Sequence, residues 1–381
     1  MPKLNDHGLG GGGKALGVPV YPFETVKGYV ESDNGTLRAI YGDAIKTIPV
    51  ESYSNAGCVV GDEIYLIGTH NNYNLCYKYN VKTNAWAMLS EAPYDGQKVW
   101  AVAHGTDIYY GCADSTSVYK YDTINNTHTQ WLGSTGHVFN YSRATIDGDY
   151  IYIFGGNSNT TYRTYATRVD IINKTYTRLK TIPYETYNQA VISGGDGYIY
   201  IFGGQVSSTT AYKYSIADNT YTSISESPMN CYGTMIGRKD NFIYLVNSAH
   251  SLYTNALYVY DILTDTYTSV GSTPKARQYG TLGIIDDVIY TLGGGTASGV
   301  YKSGESSMVI KGTSVNLSIQ RLPKGIKVYT DGAIHSGTSK DFGGNIILDF
   351  DTTLEKTNGF VTIPTEGKYL IVGSNYATIG G

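Results

Sequence analysis

The chain has few charged residues, few prolines and few cysteines for its length. Asp, Glu, Lys and Arg make up 16% of its 381 residues, and the formal net charge is -4. Because binding to a phosphate backbone needs a basic field, this balance argues against nucleic acid as a main partner. The 10 prolines are too few for a proline-rich linker. We predict buried free thiols in strands for the four cysteines, Cys58, Cys76, Cys112 and Cys231.

Long apolar runs are also missing. No stretch reaches the roughly 18 apolar residues that a transmembrane helix needs, so we expect no membrane insertion. The first residues, MPKLNDHGLGGGGKALG, lack the apolar region of a secretory signal. Gly8, Gly10 and Gly13 fit a dinucleotide-binding pattern, but no strand precedes them. We therefore predict no cofactor and no metal site, and a chain that is not an enzyme.

Glycine and tyrosine are abundant instead, with 46 and 38 residues respectively. This composition is typical of many short strands joined by tight turns. An Ile-Tyr pair recurs inside apolar runs at separations of 44, 43, 48, 44 and 46 residues. The pairs begin at Ile64, Ile108, Ile151, Ile199, Ile243 and Ile289. A repeat of this length predicts an all-β propeller, because one four-stranded blade cannot cover both of its own faces.

The repeat resembles the kelch motif, whose blade ends its second strand in Gly-Gly. Gly155-Gly156, Gly203-Gly204 and Gly293-Gly294 match that position, whereas the first, second and fifth copies depart from it. Trp86 matches the later aromatic of the family, and tyrosines replace it in later copies. The resemblance covers residues 36 to 305 and implies a six-bladed kelch-type β-propeller.

The N-terminal side of the repeat array predicts how the ring closes. Pro49 precedes Ile64 by 15 residues, which is the spacing found inside the array. We expect an N-terminal strand before it to complete the sixth blade. This gives three regions: a Gly-rich N-terminal arm over 1-24 that is either flexible or used for docking, the propeller over 25-310, and a small all-β C-terminal module over 311-381. That module resembles trimeric jelly-roll heads, or it is a strand pair packed against the propeller.

Tyrosines and polar side chains recur in the segments that lead into the innermost strands. In a propeller these segments converge on one mouth of the central channel, where aromatic faces beside hydrogen-bonding groups suit a glycan or an extended peptide. We predict ligand-binding roles, with the tyrosines and arginines as surface groups, for Tyr53, Asn55, Trp100, Tyr141, Arg143, Tyr187, Gln189, Tyr232, Arg277 and Tyr279. The alternative is that the tyrosines pack between blades.

These features favour a binding protein over an enzyme. The Gly-rich arm, the low charge, the propeller and the added β module are similar in overall style to receptor-binding adhesins of phage tails or tail-like particles. We expect a virion protein that binds a host-surface glycan or protein. The arm or the C-terminal module would bind other tail or baseplate proteins or form a homotrimer.

Two alternatives come from other kelch proteins. One is a carbohydrate-active enzyme, either similar to sialic-acid epimerases or similar to galactose oxidases, whose copper site uses His and Tyr. His70 and His250 are the histidines that follow second strands here. The other alternative is a cytoplasmic kelch scaffold that binds a peptide.

Overall fold

The structure, a computed structural model, describes most of the repeat array and little outside it. The described residues are 38–51, 56–68, 73–158, 161–162, 164–205, 209–248, 254–273, 276–286, 288–296, 299–300 and 304–310, with residue pairs at 329–330, 333–334, 340–341, 356–357 and 360–361. The predicted arm over 1-24 lies outside these residues, as does nearly all of the predicted C-terminal module. No helix in the described part is of a length and hydropathy that could span a bilayer.

Five blades each consist of four consecutive antiparallel strands. Blade 1 contains β2 (Ala56–Val60), β3 (Glu63–Ile67), β4 (Cys76–Asn80) and β5 (Ala85–Met88). Blade 2 contains β6 (Lys98–His104), β7 (Asp107–Cys112), β8 (Ser117–Asp122) and β9 (Thr127–Ser134). Blade 3 contains β10 (Arg143–Asp147), β11 (Tyr150–Phe154), β12 (Ala166–Asp170) and β13 (Thr175–Arg178). Blade 4 contains β14 (Ala190–Ser193), β15 (Tyr198–Phe202), β16 (Ala211–Ser215) and β17 (Thr220–Ser223). Blade 5 contains β18 (Met235–Lys239), β19 (Phe242–Ser248), β20 (Thr254–Asp261) and β21 (Thr266–Ser272).

A further four-stranded sheet, the closing sheet, joins the two ends of the array. Its order from the inside is β22 (Thr281–Ile285), β23 (Val288–Leu292), β24 (Gly304–Ile310) and β1 (Arg38–Ala44). Strand β1 runs antiparallel to β24, with Arg38 opposite Ile310. Each innermost strand contacts the next, and β22 contacts β2, so the ring is closed.

The all-β propeller class is therefore confirmed. Blades made of four consecutive strands number five within the described residues, rather than six. The remaining sheet takes its fourth strand from the N-terminal side of the array, because the chain after β23 supplies only β24 to it before residue 310.

The Ile-Tyr repeat forms the second strand of each blade and is buried on both faces. Tyr65, Tyr152 and Tyr200 are no more than 2% exposed, and the isoleucines before them are completely buried. A strand in mid-sheet would alternate between core and solvent if only one face were covered. Here neighbouring blades cover both faces, so the core lies between blades, as in the cluster that joins Val102 of blade 2 to Ile151 and Ile153 of blade 3.

In four of the five blades, an asparagine or aspartate side chain fixes the hairpin formed by the third and fourth strands. Its Oδ1 accepts hydrogen bonds from a tyrosine hydroxyl of the same blade and from the N–H of a residue in the chain segment that leads into that blade. The residues are Asn84 with Tyr79 (3.0 Å) and Lys46 (2.8 Å), Asn126 with Tyr121 (2.9 Å) and Ser90 (2.8 Å), Asn219 with Tyr214 (2.9 Å) and Lys180 (2.8 Å), and Asp265 with Tyr260 (2.8 Å) and Ser225 (3.0 Å). All four have a positive φ between 49° and 54°, a conformation that Asn and Asp adopt more readily than most residues.

The carbonyl of the same connecting residue is held as well. A ring donor two residues after the Asn or Asp reaches it in each case: Trp86 Nε1 to Lys46 O (2.8 Å), His128 Nε2 to Ser90 O (3.1 Å), Tyr221 hydroxyl to Lys180 O (2.8 Å) and Tyr267 hydroxyl to Ser225 O (3.0 Å). We call this pair of contacts the outer clamp. Blade 3 has Lys174 and Tyr176 at the corresponding positions, and Tyr176 is 44% exposed.

The cysteines are free thiols, as predicted. Cys76 and Cys112 are buried in strands, and Cys58 lies in β2 but is only half-buried. Cys231 is buried in the segment before β18 and not in a strand. Burial raises the pKa of the Cys112 and Cys231 thiols to about 12.

Candidate functional site

Four of the predicted tyrosines meet at one end of the channel. Tyr141, Tyr187, Tyr232 and Tyr279 precede the innermost strands of blades 3, 4 and 5 and of the closing sheet. Their ring centroids are separated by 5.8 Å, 6.0 Å and 5.6 Å in that order. The last two pairs are edge-to-face, which is a favourable arrangement for aromatic rings. We call these four residues the tyrosine arc.

A relay of main-chain hydrogen bonds holds the arc. The N–H of Asn188 donates to Tyr141 O at 2.9 Å, that of Gly233 to Asn188 O at 3.0 Å, and that of Tyr279 to Gly233 O at 2.9 Å. Each bond joins one repeat to the next. The spacing of the arc is therefore fixed by the backbone and does not depend on the side chains alone.

All four residues of the relay have a left-handed backbone, with φ values from 54° to 66°. Gly233 adopts this conformation without strain and Asn188 with little, but Tyr141 and Tyr279 are bulky residues that seldom do. Strain of this kind costs on the order of 1 to 3 kcal/mol and clusters at functional sites. Two strained tyrosines at the channel mouth make it the candidate site.

Exposure differs along the arc. Tyr141 is 43% exposed, whereas Tyr187, Tyr232 and Tyr279 are half-buried. The hydroxyl of Tyr279 accepts a hydrogen bond of 3.1 Å from Asn188 Nδ2. The arc thus offers one exposed ring beside three partly exposed rings of fixed orientation.

Below the arc, the six innermost strands enclose a channel cavity of about 120 Å³. Small residues such as Ala56, Ala144 and Gly280 line much of it. Pockets that enclose a whole small ligand are usually about 300 to 1,000 Å³. A ligand larger than a few waters would therefore bind on the mouth and send only one group into the channel.

Arg143 is the charged residue of the channel lining within the described residues. Its Nη1 donates to Val99 O at 2.9 Å and to Ser142 O at 3.1 Å. Its guanidinium carbon lies 6.0 Å from the ring centroid of Tyr279. Burial lowers the pKa of Arg143, but an arginine keeps its proton in proteins, so the channel carries a positive charge.

Apart from Arg143, the described lining offers few groups for catalysis or metal binding. No Asp, Glu, His or Cys of the described residues lines the cavity. Groups of three or more His, Cys, Asp or Glu placed to hold a metal ion are also missing from the part of the chain that the structure describes. His70 and His250, considered above for a copper site, lie outside that part.

Two predicted site residues are more buried than a ligand contact requires. Trp100 and Gln189 line the channel but are only 3% and 1% exposed. Gln189 Nε2 donates to Phe154 O at 2.7 Å, and the Trp100 ring packs edge-to-face on Phe139 at 5.3 Å. Both residues support the walls of the channel, with their side chains packed against protein.

The expectation that Arg277 is a surface group is wrong. Its side chain is completely buried, and its Nη1 donates to Gly293 O at 2.6 Å. It holds the glycine turn that ends β23, so it has no surface to offer a ligand in this structure. Tyr53 and Asn55 lie outside the described residues, and their predicted role stays a prediction.

Asn188 positions the tyrosine arc and was missed by the sequence reasoning: its side chain is only 2% exposed and donates to the Tyr279 hydroxyl. It lies 47 residues after Tyr141 and 91 before Tyr279, and it shares their left-handed backbone. Its equivalent position in the repeat was the sequence signal that could have identified Asn188.

No family model matches this chain, and no curated protein sequence matches it. Among solved structures it is similar to that of YjhT, with 14% sequence identity and a TM-score of 0.61. The similarity covers 68% of this chain and 95% of YjhT. At this identity it shows the propeller fold alone.

Proposed function

We propose that the protein is a non-catalytic binding protein whose ligand docks on the tyrosine arc. In this proposal the closing sheet is the sixth blade of a kelch-type propeller. The ligand is a host-surface glycan or protein, and the chain is the receptor-binding component of a phage tail or tail-like particle. The arm and the C-terminal module then join it to other tail or baseplate proteins, or to two further copies of itself.

The observation that carries the proposal is the arc itself. Four rings on four successive repeats are held at fixed spacing by the backbone relay. Aromatic side chains lose little conformational freedom on binding and present large amphipathic faces. A row of them beside a guanidinium favours binding to the faces of sugar rings or to an extended peptide.

The channel lining also favours binding over catalysis. General acid–base catalysis needs titratable groups near the reacting atoms, and the described lining offers a guanidinium and no carboxylate or imidazole. Arginine polarises and orients ligands more readily than it exchanges protons. This supports a site that holds its ligand unchanged.

The proposal is tested by removing rings from the arc. A Tyr141→Ala, Tyr187→Ala variant should lose binding to a glycan array and to host cells, because each stacked ring contributes about 1 to 3 kcal/mol. Tyr176→Ala is the matched control, since Tyr176 is 44% exposed, against 43% for Tyr141, and lies on the outer edge of blade 3. It should bind as the unmodified protein does.

Two outcomes would count against the proposal. Full binding by the double variant would move the site away from the arc. Recovery of a chemically altered sugar after incubation with the protein would favour the carbohydrate-active enzyme instead.

A further inference from the structure

Arg143 has no acidic partner within the described residues. Both of its hydrogen bonds go from Nη1 to main-chain carbonyls, and no salt bridge joins it to a described carboxylate. Its Nε and Nη2 make no hydrogen bond to a described residue, yet, unlike Nε of Arg277, neither is sealed from solvent. The Nε–Nη2 edge of the guanidinium, called the open edge below, therefore has no partner among the described residues, and Arg143 lines the channel.

The undescribed residues that lead directly into the innermost strands include no acid. The undescribed residues 52–55, before β2, are Ser-Tyr-Ser-Asn, and 274–275, before β22, are Pro-Lys. Of the described carboxylates that precede innermost strands, Asp95 and Glu185 are exposed and Glu51 is half-buried, and none of them forms a salt bridge with Arg143. A positive charge is thus held in a partly desolvated site without a counter-charge among the described residues, an arrangement that an anionic ligand group would stabilise.

The open edge also selects the shape of the anion. Two parallel N–H groups of one guanidinium edge match the two oxygens of a planar carboxylate. Because the cavity of about 120 Å³ has room for a single group, the rest of the ligand must lie over the adjacent rings. Tyr279, whose ring lies 6.0 Å from the guanidinium carbon, is the end of the tyrosine arc.

We propose that the ligand of the tyrosine arc is an acidic glycan, in which a uronic acid places its carboxylate on the Nε–Nη2 edge of Arg143 while the sugar rings lie on the arc. This inference rests on the proposed function, since it specifies what binds at the same site. In this inference Arg143 distinguishes acidic from neutral sugars. The tyrosines supply the affinity that both kinds of sugar share.

The test compares pairs of oligosaccharides that differ only by a uronic acid in place of the neutral hexose. The full chain should bind the acidic member about 10-fold to 100-fold more tightly, as expected for one bidentate charged pair. Arg143→Gln should reduce that preference to about 2-fold or less. Arg143→Lys, which keeps the charge but loses the planar edge, should lose most of the preference.

Arg238→Gln is the matched control, because Arg238 lies on innermost strand β18 and donates to Asp240 O beyond the end of that strand. It removes one positive charge and should keep the preference. The methyl ester of the uronic acid, titrated into the unmodified protein, tests the same point without any variant. It should bind like the neutral sugar.

The outcomes separate the two proposals. Binding of neither pair member, together with no attachment to host cells, overturns the proposed function. Equal binding of acidic and neutral members, a preference that survives in Arg143→Gln, or tight binding of sulfated sugars without binding of uronic acids overturns the acidic-glycan inference alone.

Discussion

Arg143 and Tyr279 belong to opposite sides of the ring, yet the guanidinium carbon lies 6.0 Å from the tyrosine ring centroid. Arg143 begins β10 of blade 3, and Tyr279 precedes β22 of the closing sheet, three innermost strands away. The pair spans the channel just below the mouth. A ligand on the tyrosine arc would therefore contact the ring of Tyr279 and the guanidinium of Arg143 at the entrance of the channel, rather than an open channel.

Arg277, unlike Arg143, should be needed for folding. We expect Arg277→Met to lower the free energy of unfolding by about 2 to 4 kcal/mol, because it removes a buried charged hydrogen bond to Gly293 O. Urea unfolding measures the change. Arg143→Met should cost clearly less, and an equal loss in both variants would contradict the distinction between them.

The outer clamp predicts unequal effects at equivalent positions. Asn219→Ala removes the acceptor of the Lys180 N–H and of the Tyr214 hydroxyl, and should cost about 1 to 3 kcal/mol. Lys174→Ala in blade 3 has the same left-handed backbone, with φ of 53° against 54°, but removes no clamp. Its change in thermal stability should stay within about 0.5 kcal/mol, and similar losses in the two variants would show that the clamp contributes little.

His128 should make stability depend on pH. Burial lowers the pKa of His128 to about 4 in the folded chain, below the value of about 6.5 in the unfolded chain. Between these values the unfolded chain binds an extra proton, so the free energy of unfolding falls as the pH drops from 6.5 to 4. The loss is at most about 3 kcal/mol, at 1.36 kcal/mol for each pKa unit.

Thermal melts across this pH range measure the effect, with His128→Tyr as the comparison. Tyrosine stands at this clamp position in blades 4 and 5 and donates to the corresponding carbonyl there. The variant should keep the contact to Ser90 O and flatten this part of the pH profile. An unchanged slope would assign the acid sensitivity to other groups.

The closing strand is tested by two truncations. Deleting residues 1–44 removes β1 and should lower the melting temperature by about 10 °C or more, because β24 becomes an exposed edge and several kcal/mol of packing are lost. Deleting residues 1–37 leaves β1 in place and should change the melting temperature little. Equal melting temperatures for the two would show that β1 is dispensable.

The strands could be predicted because they repeat. The Ile-Tyr spacing located the second strand of every unit, and the position of Pro49 indicated that an N-terminal strand would be needed to close the ring. Both signals are periodic, and a propeller must repeat its packing contacts from blade to blade. The outer clamp had a sequence signature too, the Tyr followed five residues later by Asn or Asp, but its contacts cross between distant parts of the chain.

The mouth was harder to predict because the tyrosine does not take the same position relative to the left-handed residue in every repeat. Tyr141 and Tyr279 occupy the left-handed position of the relay, whereas Tyr187 and Tyr232 come one residue before it. The rings meet in spite of this offset. The burial of individual side chains was not predictable either. Composition could not tell that Arg277 is enclosed and that Arg143 faces the channel.

The pairing of Arg38 with Ile310 has a mechanical consequence. A tension applied between these two residues pulls apart the ends of neighbouring antiparallel strands, so it opens their hydrogen bonds one pair at a time, as a zipper opens. A tension between the mouth and either residue must instead be carried by the ring of blades, which shares the load among many bonds at once. We therefore expect the propeller to resist a pull from a bound surface better than a separation of Arg38 from Ile310.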